Sequence, residues 1–126
     1  MVVIHGKSKR KPTGGRYTDS RTKRLHQVGS RPTHTKVGAM HPKVVRSKGG
    51  DHKTKLLAAD KVNLYDPAIK KHSIEEIKTV TDNPADRQFA RHNVMTKGAI
   101  IMTAKGKARI TNRPGQEGLV NAILVK

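Results

Sequence analysis

Apolar side chains are sparse before Leu56 and frequent after it, and a core forms only where they are. Counting Ala, Val, Ile, Leu, Met, Phe and Tyr, the first 55 positions hold 12 and the remaining 71 hold 30. Charge runs the other way: residues 1–55 carry 15 Lys or Arg against 2 acids, and residues 56–126 carry 12 against 7. A stretch so polar cannot repay its ordering entropy by burial, whereas a body of about 80 residues can fold around one small core. The sequence therefore predicts a basic N-terminal extension over residues 1–42, ordering mainly on its partner, and a folded body over residues 43–126.

The body reads as short strands separated by turns. Ala99–Thr103 leads through Ala104, Lys105, Gly106 and Lys107 into Ala108–Asn112, where Ala108 and Ile110 alternate with Arg109 and Thr111, a hairpin pattern. Arg113 to Gly118 is rich in turn formers, and the run Leu119–Val125 after it reads as a strand buried on both faces. Val62–Asp66 and Ile74–Thr81 are further strand candidates around a turn at Asp66 and Pro67. Ser73, Ile74, Glu75 and Glu76 also fit a capping box, so a short helix competes with the second of these. One helix is expected over Asn83–His92, with Asn83 as N-cap and Pro84 at the first helical position. Several short strands with frequent turns and one short helix predict a mainly all-β fold, a small closed or nearly closed antiparallel β-barrel carrying a basic, extended arm.

A formal net charge of +18 over 126 residues calls for a polyanionic partner. A membrane surface is a poor candidate, because the chain has neither a long apolar span nor a basic amphipathic stretch with bulky apolar residues opposite. The first ten residues lack the apolar stretch of a secretory signal, which predicts a cytoplasmic protein. Zero Cys excludes disulfides, thiolate metal sites and cysteine catalysis. The seven His residues form no HExxH pair and no close cluster with carboxylates, so no metal is expected. Glu75 and Glu76, being adjacent, would point to opposite faces of a strand and make no acid–base pair. Gly6, Lys7 and Ser8 imitate the end of a P-loop, but Met1 occupies the position of its first glycine. No catalytic residues, cofactor or small-molecule substrate are therefore expected. Tyr17, Tyr65 and Phe89 are too few to stack successive bases, so recognition should rest on phosphate, 2′-hydroxyl and RNA shape.

Two stretches carry the candidate contacts. Lys7, Lys9, Arg10, Lys11, Gly14, Gly15 and Arg16 form the densest basic segment, with glycines that let backbone approach a phosphate. Arg21, Lys23, Arg24 and Lys36 continue it along the extension, and Arg113 adds a cation in the body. The second stretch is a hairpin, Lys43–Ser47 and His52–Leu57, around a two-residue Gly49–Gly50 loop. With Lys48 opposite Asp51, Arg46 falls opposite Lys53 and Val44 opposite Lys55. Arg46, Lys48, Lys53 and Lys55 would then share one face, where like charges across a ladder require a counter-charge such as phosphate.

These residues resemble the S-eight-e family of archaeal and eukaryotic small-subunit ribosomal proteins over nearly the whole chain. The resemblance rests on Lys11-Pro12-Thr13-Gly14-Gly15-Arg16, the Gly49–Gly50 hairpin, Asn83-Pro84-Ala85, Thr96–Ile101 and Gly106–Gln116. It implies a cytoplasmic component of the small subunit that binds small-subunit ribosomal RNA beside neighbouring ribosomal proteins. It also implies a β-barrel-like body with a basic N-terminal extension lying among RNA helices, and the short length resembles archaeal members. The chain departs from the family pattern at Gly29–Thr33, where Arg31 is displaced by one position, and at Asp51 and Asp86, where Asn is common. Charge alone leaves an alternative, a chromatin-type protein binding duplex nucleic acid without sequence preference.

Overall fold

Strand alternation and short turns bring the apolar half of the chain together as a closed barrel with a second, smaller sheet. The computed structural model describes residues 3–4, 9–18, 21–22 and 24–125. By packing, the chain divides into Met1–Pro32 and Thr33–Lys126. In the first unit, strand β1 (Val3–Ile4) pairs antiparallel with β2 (Val28–Gly29). A single 3-10 turn at Leu25–Gln27 leads into β2. Its entry is tied by the Gln27 side chain, whose Oε1 accepts from the Arg24 backbone N–H at 3.2 Å.

The second unit contains β3 (Thr35–Val37), β4 (His41–Arg46), β5 (His52–Ala59), β6 (Lys61–Asp66) and β7 (Lys71–Asp82). There follow helix α1 (Arg87–Arg91), β8 (Val94–Met95), β9 (Ile100–Thr103), β10 (Gly106–Ile110), α2 (Pro114–Glu117) and β11 (Asn121–Leu124). Strands β6, β7, β9, β10 and β11 close a barrel. Each antiparallel step reverses direction, so the fifth strand of such a circuit must run with the first. Accordingly β11 meets β6 in parallel, Ala122 beside Leu64, while the other four junctions are antiparallel.

A five-stranded barrel is narrow, and its interior alternates large with small side chains. Val62, Leu64, Ile101 and Ile110 are buried beside Ala99, Ala108 and Ala122. Thr103, also buried, satisfies its hydroxyl by donating to the Gly106 carbonyl at 2.9 Å. The second sheet has the order β4-β5-β3-β8, and Leu56, Ala59 and Met95 carry the core into it. Only Asp60 separates β5 from β6. Its carbonyl accepts from Ile77 N at 2.8 Å, which fixes the corner between the sheets.

One open alternative is settled and three local expectations change. Ile74–Thr81 lies within a twelve-residue strand, because Lys71–Glu76 pairs with β6 while Ile77 and Val80, buried, pair with Thr103 and Ile101 of β9, which overrides the capping-box pattern. The expected helix at Asn83–His92 starts only at Arg87. Asp86 is its N-cap, accepting from Gln88 N at 2.8 Å. Asn83 is 3 % exposed and works as a bracket: its Nδ2 donates to Val94 O, and its Oδ1 accepts from Ala85 N and Thr96 Oγ1. The turn-rich Arg113–Gly118 holds the second short helix, α2, with Pro114 at its start and Gly118 at φ +67 closing it. The last strand is buried on one face only. Ala122 points inward and Ile123 outward, as the wall of a barrel with a wet exterior requires.

Candidate nucleic-acid interface

The first cationic cluster is built by a turn. Gly14 takes φ +84, a conformation costly for a side chain with a Cβ, and its N–H donates to Lys11 O at 3.0 Å. Beyond that turn, Lys11 N donates to Gly15 O at 2.8 Å and Tyr17 N to Lys9 O at 3.0 Å. Arg10 thereby stands directly opposite Arg16. These two bonds flank the pair without joining it, and such pairs bring side chains closest. Arg10 also donates from Nη1 to Gly14 O at 3.1 Å. On the other face Lys11 Nζ lies 5.6 Å from the Tyr17 ring centroid, a cation–π contact. Lys9, Arg10, Lys11, Gly14, Gly15 and Arg16 are thus gathered into one exposed hairpin with cations on both faces. Arg21 and Arg24 are exposed in the same unit, and Lys7 and Lys23 lie outside the described residues.

The second cluster differs from the sequence expectation. Ser47 N donates to Asp51 O at 2.6 Å and Gly50 N to Ser47 O at 3.3 Å, so the loop contains Lys48, Gly49 and Gly50. Both glycines take positive φ, +90 and +94. A third loop residue slips the register by one, and every side chain changes partner. Arg46 pairs with His52, Val45 with Lys53, Val44 with Thr54 and Lys43 with Lys55. Arg46 therefore does not share a face with Lys53 and Lys55, and Lys48 sits in the loop. The face that forms carries Lys43, Lys53 and Lys55, with Lys43 and Lys55 directly opposed. Lys53 Nζ donates to Gln116 Oε1 of α2 at 2.9 Å, a neutral partner that orients its charge without cancelling it. The sequence reading omitted Lys43, and a correct loop length would have found it.

Lys36 and Arg113 join neither cluster. Lys36 is exposed on β3 with Ala58 and Val94 as its strand neighbours. Arg113 is exposed, and its carbonyl accepts from Gln116 N and Glu117 N at the start of α2. At the barrel, an ion pair forms between β7 and the turn before β10. Lys105 Nζ lies 2.8 Å from Glu75 Oε1 and donates to Ser73 Oγ at 2.8 Å. The hydrogen bond from Lys105 holds the Glu75 carboxyl below its ordinary pKa, against the opposing effect of desolvation. Among the described residues no group of three His, Asp or Glu could hold a metal ion, and no helix is long and apolar enough to cross a membrane.

A groove on the outer barrel face was invisible in the sequence. Asn63, Tyr65, His72, Ile74, Asn121 and Ile123 line it. Alternation in Val62–Asp66 puts Asn63 and Tyr65 on one face, but only the pairing of β6 with β11 brings Asn121 and Ile123 beside them.

The described residues thus form a small, basic five-stranded barrel protein with two clusters of opposed like charges. Comparison with known proteins is specific. Residues 4–125 match the family model for ribosomal protein S8e. Three proteins named small ribosomal subunit protein eS8 are similar over nearly their full lengths. That of Methanocella arvoryzae is 46 % identical, covering 98 % of this chain and 99 % of that protein. Those of Methanobrevibacter smithii and Picrophilus torridus are 41 % and 40 % identical, each covering 99 % of this chain and all of the relative. The chain belongs to the ribosomal protein S8e family, a family of structural ribosomal proteins and not of enzymes.

Proposed function

We propose that the chain is a structural constituent of the small ribosomal subunit that binds and stabilises small-subunit rRNA through phosphate and shape recognition. The observation that carries this reading is the placement of like charges directly across strands, Arg10 against Arg16 and Lys43 against Lys55. Such pairs weaken an isolated ladder and become favourable when phosphates lie between or over them. The front hairpin is cationic on both faces, a form suited to lying between two phosphate backbones. The Lys43, Lys53 and Lys55 face suits one backbone, with Lys53 held in place through Gln116. Family membership supports the same partner, and its relatives are named as small-subunit proteins. The working location is then the ribosome, beside neighbouring ribosomal proteins, with no small-molecule substrate.

Salt dependence tests the phosphate reading. Each phosphate neutralised contributes roughly 0.7 to 0.9 to the slope of log affinity against log salt. Replacing Lys9, Arg10, Lys11 and Arg16 with Gln should flatten the slope for an archaeal small-subunit rRNA transcript by about 3. An unaltered slope would leave the hairpin as a solvated charge run. Equal competition by duplex DNA would favour the nonspecific duplex binder instead.

A further inference from the structure

The outer groove has features that phosphate binding does not use. Alternation sends Val62, Leu64 and Ala122 into the barrel and turns Asn63, Tyr65 and Ile123 outward. The registers set them in two rows. Ile123 lies beside Tyr65 and Tyr65 opposite His72, while Asn121 lies beside Asn63 and Asn63 opposite Ile74. Together they shape an open groove of about 650 Å³, in the size range of small-ligand sites.

Its chemistry is specific. The Tyr65 and His72 rings are 4.8 Å apart between centroids and tilted by 36°, offering π surface at one end. Asn63 Nδ2 donates to Asn121 Oδ1 at 3.1 Å. That bond fixes both amides and leaves Asn63 Oδ1 and Asn121 Nδ2 as an acceptor and a donor side by side. Ile74 is 71 % exposed, a large apolar surface left to water in the isolated chain. Arg109, exposed on β10, lies directly opposite Ile123 at the rim, and among the described residues no carboxylate lines the groove. A flat ring, a paired donor and acceptor at its edge and a nearby phosphate would satisfy all of these at once. A protein side chain would leave either the amides or the arginine unused.

We propose that this groove takes one unstacked nucleobase of the rRNA. The base lies against Tyr65 and His72, its polar edge meets Asn63 and Asn121, and Arg109 reaches the adjoining phosphate. The inference rests on the rRNA-binding reading above, to which it adds a base contact. Stacking on aromatic side chains is how proteins hold single unpaired bases of RNA.

The test compares Tyr65→Leu and His72→Ala with the four-residue hairpin variant, using an archaeal small-subunit rRNA transcript at several salt concentrations. Leu keeps the apolar bulk and removes the ring. Each groove variant should lose about tenfold in affinity at every salt with the slope unchanged, because stacking releases few counterions. Tyr65→Phe should retain most of the affinity. Ultraviolet crosslinking of the unmodified complex should place RNA on the peptides containing Tyr65 or His72, which gives a readout independent of how the variants fold. Full affinity in Tyr65→Leu with native melting, or crosslinks confined to the N-terminal hairpin, would overturn the groove assignment. If the hairpin variant flattens the slope while the groove variants bind normally, the groove proposal fails and the rRNA-binding reading stands. If the unmodified protein does not bind the transcript, the rRNA-binding reading itself fails.

Discussion

The Lys9–Tyr17 hairpin and the pairings that close the body obtain their backbone hydrogen bonds from different distances along the chain. In the Lys9–Tyr17 hairpin the partners are close neighbours in sequence, Lys11 with Gly15 and Tyr17 with Lys9. In the body, Leu64 meets Ala122 and Thr35 meets Met95. Local turn chemistry therefore shapes the hairpin, whose residues are all exposed. Burial shapes the body, and its side chains are committed to one another. Two units of one chain thus answer to different forces, and substitutions should register the difference.

The largest effect should come from cutting at the two possible boundaries. A chain beginning at Thr33 keeps β3, whose Thr35 is fully buried and donates from Oγ1 to Leu56 O at 2.6 Å. It also keeps the bonds from Val37 N to Asn93 O and from Gly38 N to Ala59 O. A chain beginning at Lys43 loses all of these and leaves β8 without its strand neighbour. We expect the longer chain to give a dispersed amide spectrum and cooperative melting. The shorter one should lose on the order of 5 kcal/mol, comparable to the whole stability of a small domain. Equal melting of both fragments would show that the extension through residue 42 is dispensable for folding and that β3 is an accessory.

A smaller contrast separates two glycines. Gly14 in the hairpin has φ +84 and open space where a Cβ would stand, so Gly14→Ala should cost only the backbone strain, about 1 kcal/mol, and should leave the body's melting unchanged. Gly118 has φ +67, and an added Cβ would meet Thr54 Cγ2 at 2.6 Å and Thr54 Cβ at 3.0 Å. Overpacking adds to the strain there, and Gly118→Ala should lower body stability by about 2–4 kcal/mol. Urea titrations of the two variants measure this, and equal losses would place both glycines under backbone strain alone.

The same contrast explains which features the sequence revealed. The Ile100–Ile110 hairpin was legible in its faces, because Ala108 and Ile110 alternate with Arg109, although its turn is Ala104 and Lys105 alone and not the four residues Ala104 to Lys107. The Gly49–Gly50 hairpin was not, because a loop of two or three residues fits the same letters and only the Ser47–Asp51 bond distinguishes them. The basic segment from Lys9 to Arg16 was recognisable from composition, yet its folding into opposed arginines depends on the positive φ of Gly14. Asn83 carried a cap's signature but is claimed by Val94 and Thr96, more than ten positions downstream. The groove could not be read, since its rows add residues of β11 to the β6–β7 hairpin through a pairing that only closure of the barrel creates.

The smallest effect has the most direct bearing on function, because two cross-strand pairs on neighbouring hairpins carry opposite signs. Lys43 faces Lys55, whereas Lys61 faces Glu76. Cross-strand pairs of charges contribute roughly 0.2–1 kcal/mol, favourable when opposite and unfavourable when alike. Lys43→Gln should therefore raise the stability of the free protein by about 0.5 kcal/mol, and Lys61→Gln should lower it by a similar amount. Both shifts should shrink in about 1 M salt, where the screening length falls to roughly 3 Å. Urea midpoints at low and high salt give the comparison. Bound to RNA the order should reverse for Lys43, since a phosphate between the two lysines turns a repulsion into two attractions, and Lys43→Gln should then weaken the complex. A loss of stability in free Lys43→Gln at low salt would mean that the lysine stem packs to advantage against β5. The like-charge pair would then no longer be evidence for a missing counter-charge.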